Sequence, residues 1–98
     1  MDDAGTRTVI HAHADAVVRG DIDAVVADFV EELRPQVPQL AQALPQPVTS
    51  AEVQSIDFGE DESVALIRYA GDSGAVTVRS HWREVDGTPQ IAHAEPVG

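Results

Sequence analysis

The first half of the chain carries apolar residues at the spacing of amphipathic helices. In the segment DIDAVVADFVEEL they form one stripe, made of Ile22, Val25, Val26, Phe29, Val30 and Leu33. A second stripe, in TRTVIHAHADAVVRG, consists of Val9, His13, Ala16 and Val17. Gly20 is placed to end the earlier helix and Asp21 to cap the start of the later one. The pattern therefore predicts a helical hairpin joined at these two residues.

A third, shorter helix is predicted in PQVPQLAQAL. Its apolar positions at helical spacing are Val37, Leu40, Ala41 and Leu44. Pro35 or Pro38 fits the first turn, because the N–H groups there have no partner within a helix. Pro45 and Pro47 end this helix.

From Val48 onward the pattern changes to that of strands. Four segments are predicted, near residues 52–58, 62–70, 75–85 and 89–97, separated by the turn compositions GED, GDSG and DG. Such short connections favour antiparallel neighbours. We therefore expect one α+β domain over residues 1–98, with three N-terminal helices packed on a curved four-stranded antiparallel meander in a cone-like roll.

The Asp86-Gly87 dipeptide predicts the register of the last hairpin. As the centre of a type I′ turn, it pairs residues 85 with 88, 82 with 91, 80 with 93 and 78 with 95. Alternation then sends one set of side chains toward the helices: Val76, Val78, Ser80, Trp82, Ile91, His93, Glu95 and Val97. His93 and Glu95 are thus predicted to point inward.

The opposite, outer face is predicted to mix basic and aliphatic residues. It receives Thr77, Arg79, His81, Arg83, Val85, Gln90, Ala92 and Ala94, and a two-residue turn at Asp72 and Ser73 adds Val64, Leu66 and Arg68. Two interpretations stay open for its basic members, Arg68, Arg79, His81 and Arg83. They face a second subunit or an anionic ligand, or they are ordinary solvent-exposed charges.

Composition narrows the classes of function. Seventeen acidic residues against six basic ones give a formal charge of −11, which disfavours nucleic acids and anionic membranes as partners. The absence of cysteine excludes disulfides, thiolate metal sites and a cysteine nucleophile. The first residues, MDDAGTRTV, lack the basic start of a secretory signal, and no apolar run reaches the roughly 18 residues of a membrane span. We expect a cytoplasmic protein.

His93 and Glu95 are the candidate catalytic pair. At alternate positions of one strand, the carboxylate can orient the imidazole for general acid–base work. Ser80, Trp82, Tyr69 and His13 are candidate ligand-binding residues lining the same interior. The alternative is a buried histidine that is simply satisfied by a neighbouring carboxylate.

The remaining histidine and acidic residues give weaker evidence for a metal or catalytic site. His11 and His13 point about 200° apart on a helix and cannot share an ion, whereas His11 and Asp15 could, although an exposed pair of this kind favours an ordinary surface contact. No metal site and no cofactor are therefore predicted. Asp28, with Asp23, Glu31 and Glu32, is interpreted as part of a solvated helix face. Phosphate-binding loops, nucleophile elbows and dinucleotide fingerprints are absent from the sequence.

These features together resemble the nuclear transport factor 2-like superfamily, which has a cystatin-like cone and includes the SnoaL-like cyclases and ketosteroid isomerases. The resemblance covers most of the chain and is carried by Gly20, Asp21, Trp82, Arg83, Asp86, Gly87, Ile91 and His93. It implies a homodimer formed through the outer sheet face and any active site inside the cone. The chain looks like a shortened member, because it lacks the hairpin on which ketosteroid isomerases carry their general-base aspartate.

The sequence thus leaves two functional hypotheses. The leading one is a homodimer that binds a small hydrophobic ligand or a protein partner without catalysis. The alternative is a SnoaL-like, cofactor-independent isomerase, cyclase or hydrolase that uses His93 and Glu95 on a small hydrophobic substrate. The enzyme hypothesis requires the His93 side chain to reach an open cavity, so a filled interior or a His93 that faces solvent would contradict it.

Overall fold

The computed structural model describes residues 2–97. Three α-helices, α1 (Asp3–Arg19), α2 (Ile22–Ala27) and α3 (Val37–Ala41), precede four strands, and a 3₁₀ helix (Glu31–Gln36) lies between α2 and α3. The strands are β1 (Ser50–Asp57), β2 (Glu62–Gly71), β3 (Gly74–Val85) and β4 (Thr88–Val97), and they form one antiparallel sheet in the order β1-β2-β3-β4. The predicted α+β meander with N-terminal helices is confirmed.

The junction between the first two helices is built as its sequence predicts. Gly20 ends α1 in the left-handed conformation, with φ of 71°, and its N–H donates to the carbonyls of Ala16 and Val17. The Asp21 side chain then accepts a hydrogen bond from the Ala24 N–H at the start of α2. Glycine and aspartate are the residues that these two positions favour.

The second helix is shorter than predicted. It ends at Ala27, because the backbone on either side of Phe29 pairs with β4. The Ile91 N–H donates to the Asp28 carbonyl at 2.7 Å, and the Val30 N–H donates to the Ile91 carbonyl at 2.9 Å. These long-range hydrogen bonds replace the helical ones that the continuing apolar stripe predicts. Ile22, which we predicted to lie on the buried stripe, is instead 56% exposed.

A buried apolar core lies between the helices and the inner face of the sheet. Its largest side chain is Trp82, which is fully buried. Helix residues Ile10 and Val37 pack in the same cluster as the strand residues Ile67 and Ile91. Among residues 2–97, no helix is both long and apolar enough to cross a bilayer.

The last hairpin follows the predicted register only as far as Trp82. Asp86 and Gly87 form the turn with φ of 52° and 82°, and Trp82 pairs with Ile91 as expected. Beyond that pair, His81 rather than Ser80 faces His93, because β4 advances two residues while β3 advances one. Ala92 is the extra residue of a β-bulge.

The bulge exchanges the two faces for the end of β4. His93 and Glu95 pair with His81 and Arg79 on the outer face, and Val97 is likewise opposite Thr77. Ala94 moves to the inner face, where it lines a cavity. The predictions that His93, Glu95 and Val97 point inward, and that Ala94 points outward, are therefore wrong.

Candidate functional site

A small cavity lies between the helices and the inner sheet face. Its volume is about 70 Å³ and its lining is mostly aliphatic, with contributions from α1, α2, α3 and the last three strands. An apolar cavity of about 150 Å³ accommodates benzene, so this one, with roughly half that volume, has room for a fragment with fewer heavy atoms than benzene. The polar residues in its lining are His13, Tyr69 and Ser80.

His13 is held by a carboxylate that the sequence did not identify as a partner. Its Nδ1 lies 2.9 Å from Oδ2 of Asp28, and the imidazole is 5% exposed. The ring packs edge-on against Phe29 and Trp82, with centroid separations of 6.1 and 5.4 Å. When Nδ1–H donates to the carboxylate, the lone pair of a neutral imidazole lies on Nε2. Asp28 therefore fixes both the orientation and the tautomer of the ring.

The assignment of Asp28 to a solvated face is wrong. Its side chain is 25% exposed and bonds to His13 across 15 positions of sequence. Asp28 caps the C-terminal end of α2, where the pairing of its carbonyl with Ile91 stops the helix. A buried histidine on the apolar face of α1 requires a hydrogen-bond partner, and this requirement is the only feature of the sequence that points to one. It did not indicate which acidic residue supplies that partner.

Tyr69 contributes a hydroxyl that stays protonated. Its side chain is 3% exposed. Burial raises the pKa of the Tyr69 phenol well above its usual value, and the nearby negative charge of Asp28 raises it further. The residue lines the cavity, and none of the hydrogen bonds found among residues 2–97 involves its hydroxyl. A protonated phenol at this position can donate a hydrogen bond to an occupant of the cavity.

Ser80 lines the cavity beside these groups, and Trp82 packs behind it. The indole Nε1–H of Trp82 donates to Ser80 Oγ at 2.9 Å, and that hydroxyl donates to the Ala65 carbonyl at 3.4 Å. Three of the four predicted ligand-binding residues, His13, Tyr69 and Ser80, line the cavity. Trp82 lies behind them and supports the His13 ring.

The predicted catalytic pair lies on the other side of the sheet. The side chain of His93 is 62% exposed, its Nε2 is 3.8 Å from Oε2 of Glu95, and its ring lies beside that of His81. Glu95 is 3.5 Å from Arg79. The bulge at Ala92 thus removes both residues from the interior, and with it the geometric basis for their acid–base role.

The outer face otherwise collects the residues predicted for it. Val64 pairs with His81, Leu66 with Arg79, Arg68 with Thr77, and Glu62 with Arg83, as the two-residue turn at Asp72 and Ser73 requires. His81 Nδ1 also lies 2.7 Å from Oε1 of Glu62. Within the described residues, no group of three or more histidine or acidic side chains is arranged to hold a metal ion.

Comparisons with known proteins concern the fold. No protein-family model matches the chain, and no curated protein matches it significantly. An NTF-2 like protein of unknown function from Burkholderia xenovorans is similar in structure, with a TM-score of 0.70 and 15% identity over 96% of this chain and 84% of that one.

Two further solved structures are similar at comparable levels. A SEC-C motif containing protein from Rhodopseudomonas palustris has a TM-score of 0.70 and 16% identity over 100% of this chain and 83% of that one. A DUF4783 family protein from Bacteroides ovatus has a TM-score of 0.68 and 11% identity over 85% of this chain and 88% of that one. The chain therefore has the nuclear transport factor 2-like fold.

Proposed function

We propose that the protein binds a small, neutral, largely apolar ligand in the interior cavity. The observation that carries this proposal is an aliphatic cavity whose lining includes the protonated phenol of Tyr69 and the His13 imidazole held by Asp28. Binding sites commonly combine an apolar lining with a few placed polar groups. The Tyr69 hydroxyl would donate to the ligand, and the carboxylate of Asp28 disfavours an anion nearby. A carbonyl compound of four or five heavy atoms meets both requirements.

The test uses 2-butanone as the probe. We expect it to shift the NMR signals of His13, Tyr69 and Ser80 with millimolar affinity, and to shift them more than n-pentane, which has no acceptor. Tyr69→Phe should weaken 2-butanone binding about fivefold, because one neutral hydrogen bond contributes about 1 kcal/mol. Equal binding of the ketone and the alkane would contradict the role of Tyr69. No shift with either compound would contradict the proposed function.

A second candidate function is acid–base catalysis, and the His13–Asp28 hydrogen bond favours it. A carboxylate-oriented imidazole beside a tyrosine donor can remove a proton from the carbon next to a carbonyl, while Tyr69 stabilises the enolate oxygen. Exchange of the α-protons of 2-butanone for deuterium in D₂O measures this reaction. We expect His13→Gln to abolish the exchange above background. If 2-butanone binds but its α-protons do not exchange, acid–base catalysis is contradicted and ligand binding remains the proposed function.

The outer sheet face is the surface we propose for a homodimer. Aliphatic Val64 and Leu66, both half-buried in the single chain, lie there among both signs of charge. Such a face can be self-complementary about a two-fold axis, since a basic residue of one copy meets an acidic residue of the other. Sedimentation of the wild-type protein tests this proposal, with the variants described in the Discussion.

A further inference from the structure

An apolar groove runs along the surface next to the interior cavity. It lies between the end of α1, the start of α2 and the segment that follows α3, and its volume is about 300 Å³. Val18 and Ile22, the large apolar side chains most exposed among residues 2–97, are 36% and 56% exposed and both line it. Exposed aliphatic side chains that cluster in one concave surface commonly mark a binding site.

The groove and the cavity share one wall. Val17, Val25, Ala41 and Leu44 line both spaces. A single layer of aliphatic side chains therefore separates the interior, with its His13 and Tyr69, from the exposed groove. Rotation of a few side chains in this layer would join the two spaces.

Two of these four wall residues belong to a weakly held segment. α3 has only five residues, and neither it nor the preceding 3₁₀ helix has a side-chain hydrogen bond at its N-terminus. Pro35 and Pro38 within the segment have no N–H to donate. Short elements with few internal hydrogen bonds open at low free-energy cost. Ala41 and Leu44 thus form the side of the shared wall that is built from short elements.

We infer that the natural ligand is a linear amphiphile whose neutral polar head occupies the cavity and whose hydrocarbon tail leaves through this wall into the groove. The inference rests on the proposed function and specifies the class of ligand. The cavity holds only a few heavy atoms, so any longer chain must extend beyond it. The adjoining groove is mostly apolar, with Arg19 and Gln46 as the polar residues of its lining. Asp28 beside Tyr69 favours a neutral carbonyl over a carboxylate as the head. Medium-chain methyl ketones reproduce this chemistry.

The test compares 2-butanone, 2-heptanone and 2-decanone by the fluorescence of Trp82, the single tryptophan, and by ligand-induced NMR shifts. We expect the affinity to rise roughly two- to fourfold per added methylene as the tail enters the groove. Decanoate, with the same tail length and an anionic head, should bind at least tenfold more weakly than 2-decanone.

Ile22→Ser supplies the discriminating variant. It should weaken 2-decanone binding at least threefold and leave 2-butanone binding unchanged, because only the longer tail reaches Ile22. Ala27→Ser is the matched control, since Ala27 is exposed on the same helix and does not line the groove. Tyr69→Phe should weaken both ketones equally, because both place the carbonyl in the cavity.

The outcomes separate the two proposals. If 2-butanone binds but chain length or Ile22→Ser has no effect, the inference about the tail is overturned and the proposed function stands. If neither ketone binds, both are overturned. If Ile22→Ser converts a dimer to a monomer, the groove is covered by a second copy, and the amphiphile inference is also overturned.

Discussion

At the scale of single residues, the interior is organised by one hydrogen bond between two titratable groups. Asp28 holds His13 at 2.9 Å, and the same carboxylate acts through space on Tyr69. Of these two hydrogen-bonded residues, the sequence predicts only His13 to face the interior. The acidic residue that completes the cluster comes from a different helix and could not be chosen from spacing.

Removing the carboxylate should destabilise the fold. Asp28→Ala leaves His13 Nδ1 buried without its partner, and we expect a loss of about 1–3 kcal/mol in the free energy of unfolding, measured with urea. Asp15→Ala is the matched control, because Asp15 is an exposed aspartate on the helix that carries His13. Its effect should stay within about 0.5 kcal/mol. Equal effects of the two substitutions would show that the His13–Asp28 hydrogen bond does not stabilise the protein.

Tyr69 gives the stability a distinctive dependence on alkaline pH. The chain has one tyrosine, no lysine and no cysteine, so in the unfolded chain this phenol is the side chain that titrates between about pH 9 and pH 11. Its pKa is raised in the folded state, and the unfolded chain therefore loses the proton first. The stabilisation is fully present below about pH 10 and falls above it, by up to about 1.4 kcal/mol per pH unit.

Urea unfolding at a series of pH values measures this decline. Tyr69→Phe should make the free energy of unfolding flat over the same range, because the titrating group is gone. Tyrosinate absorbance of the folded wild type should also stay low at pH values where the urea-unfolded chain has ionised. A wild-type profile as flat as that of Tyr69→Phe would contradict the burial of an unpartnered phenol.

At the scale of elements, the sequence predicts structure wherever the determining contacts are local. The change from helical to alternating periodicity at Val48, the Gly20 and Asp21 junction and the Asp86-Gly87 turn are all local signals, and each is confirmed. The end of α2 and the bulge in β4 are different, because both depend on how distant segments meet. Ile91 takes the backbone hydrogen bonds that would continue the helix.

The bulge shows how one unpredicted residue changes a candidate site. Alternation has a period of two, so the extra residue Ala92 sends each following side chain to the opposite face. Nothing in an alanine flanked by isoleucine and histidine marks a bulge. Alternation without a bulge therefore predicts that His93 and Glu95 point inward, whereas Tyr69 and Ser80, which precede the bulge in sequence, line the cavity together with His13 of α1.

The helix junction allows the cost of a left-handed backbone conformation to be measured without any change in side-chain packing. Gly20 has φ of 71°, and no atom lies within 4 Å of the Cβ that a larger residue would add. Gly20→Ala should therefore cost about 1 kcal/mol in the free energy of unfolding, from backbone strain alone. Gly20→Asn should cost less, because asparagine tolerates the left-handed conformation. Equal costs for the two variants would indicate that the junction changes conformation on substitution.

At the scale of the whole molecule, the proposed homodimer must form against a formal charge of −11 on each chain. We expect wild-type protein to sediment at about twice the chain mass, and its dissociation constant to fall as salt rises from ~10 to ~100 mM, because the Debye length shortens from ~30 to ~10 Å. Leu66→Arg replaces an aliphatic side chain of the outer face by a cation that the interface would have to bury, and should convert the dimer to a monomer. Ile22→Arg, at an exposed apolar position on the helical side, is the control and should leave the dimer intact. A monomeric wild type, or a dimer that Ile22→Arg dissociates and Leu66→Arg does not, would rule out the outer face as the interface.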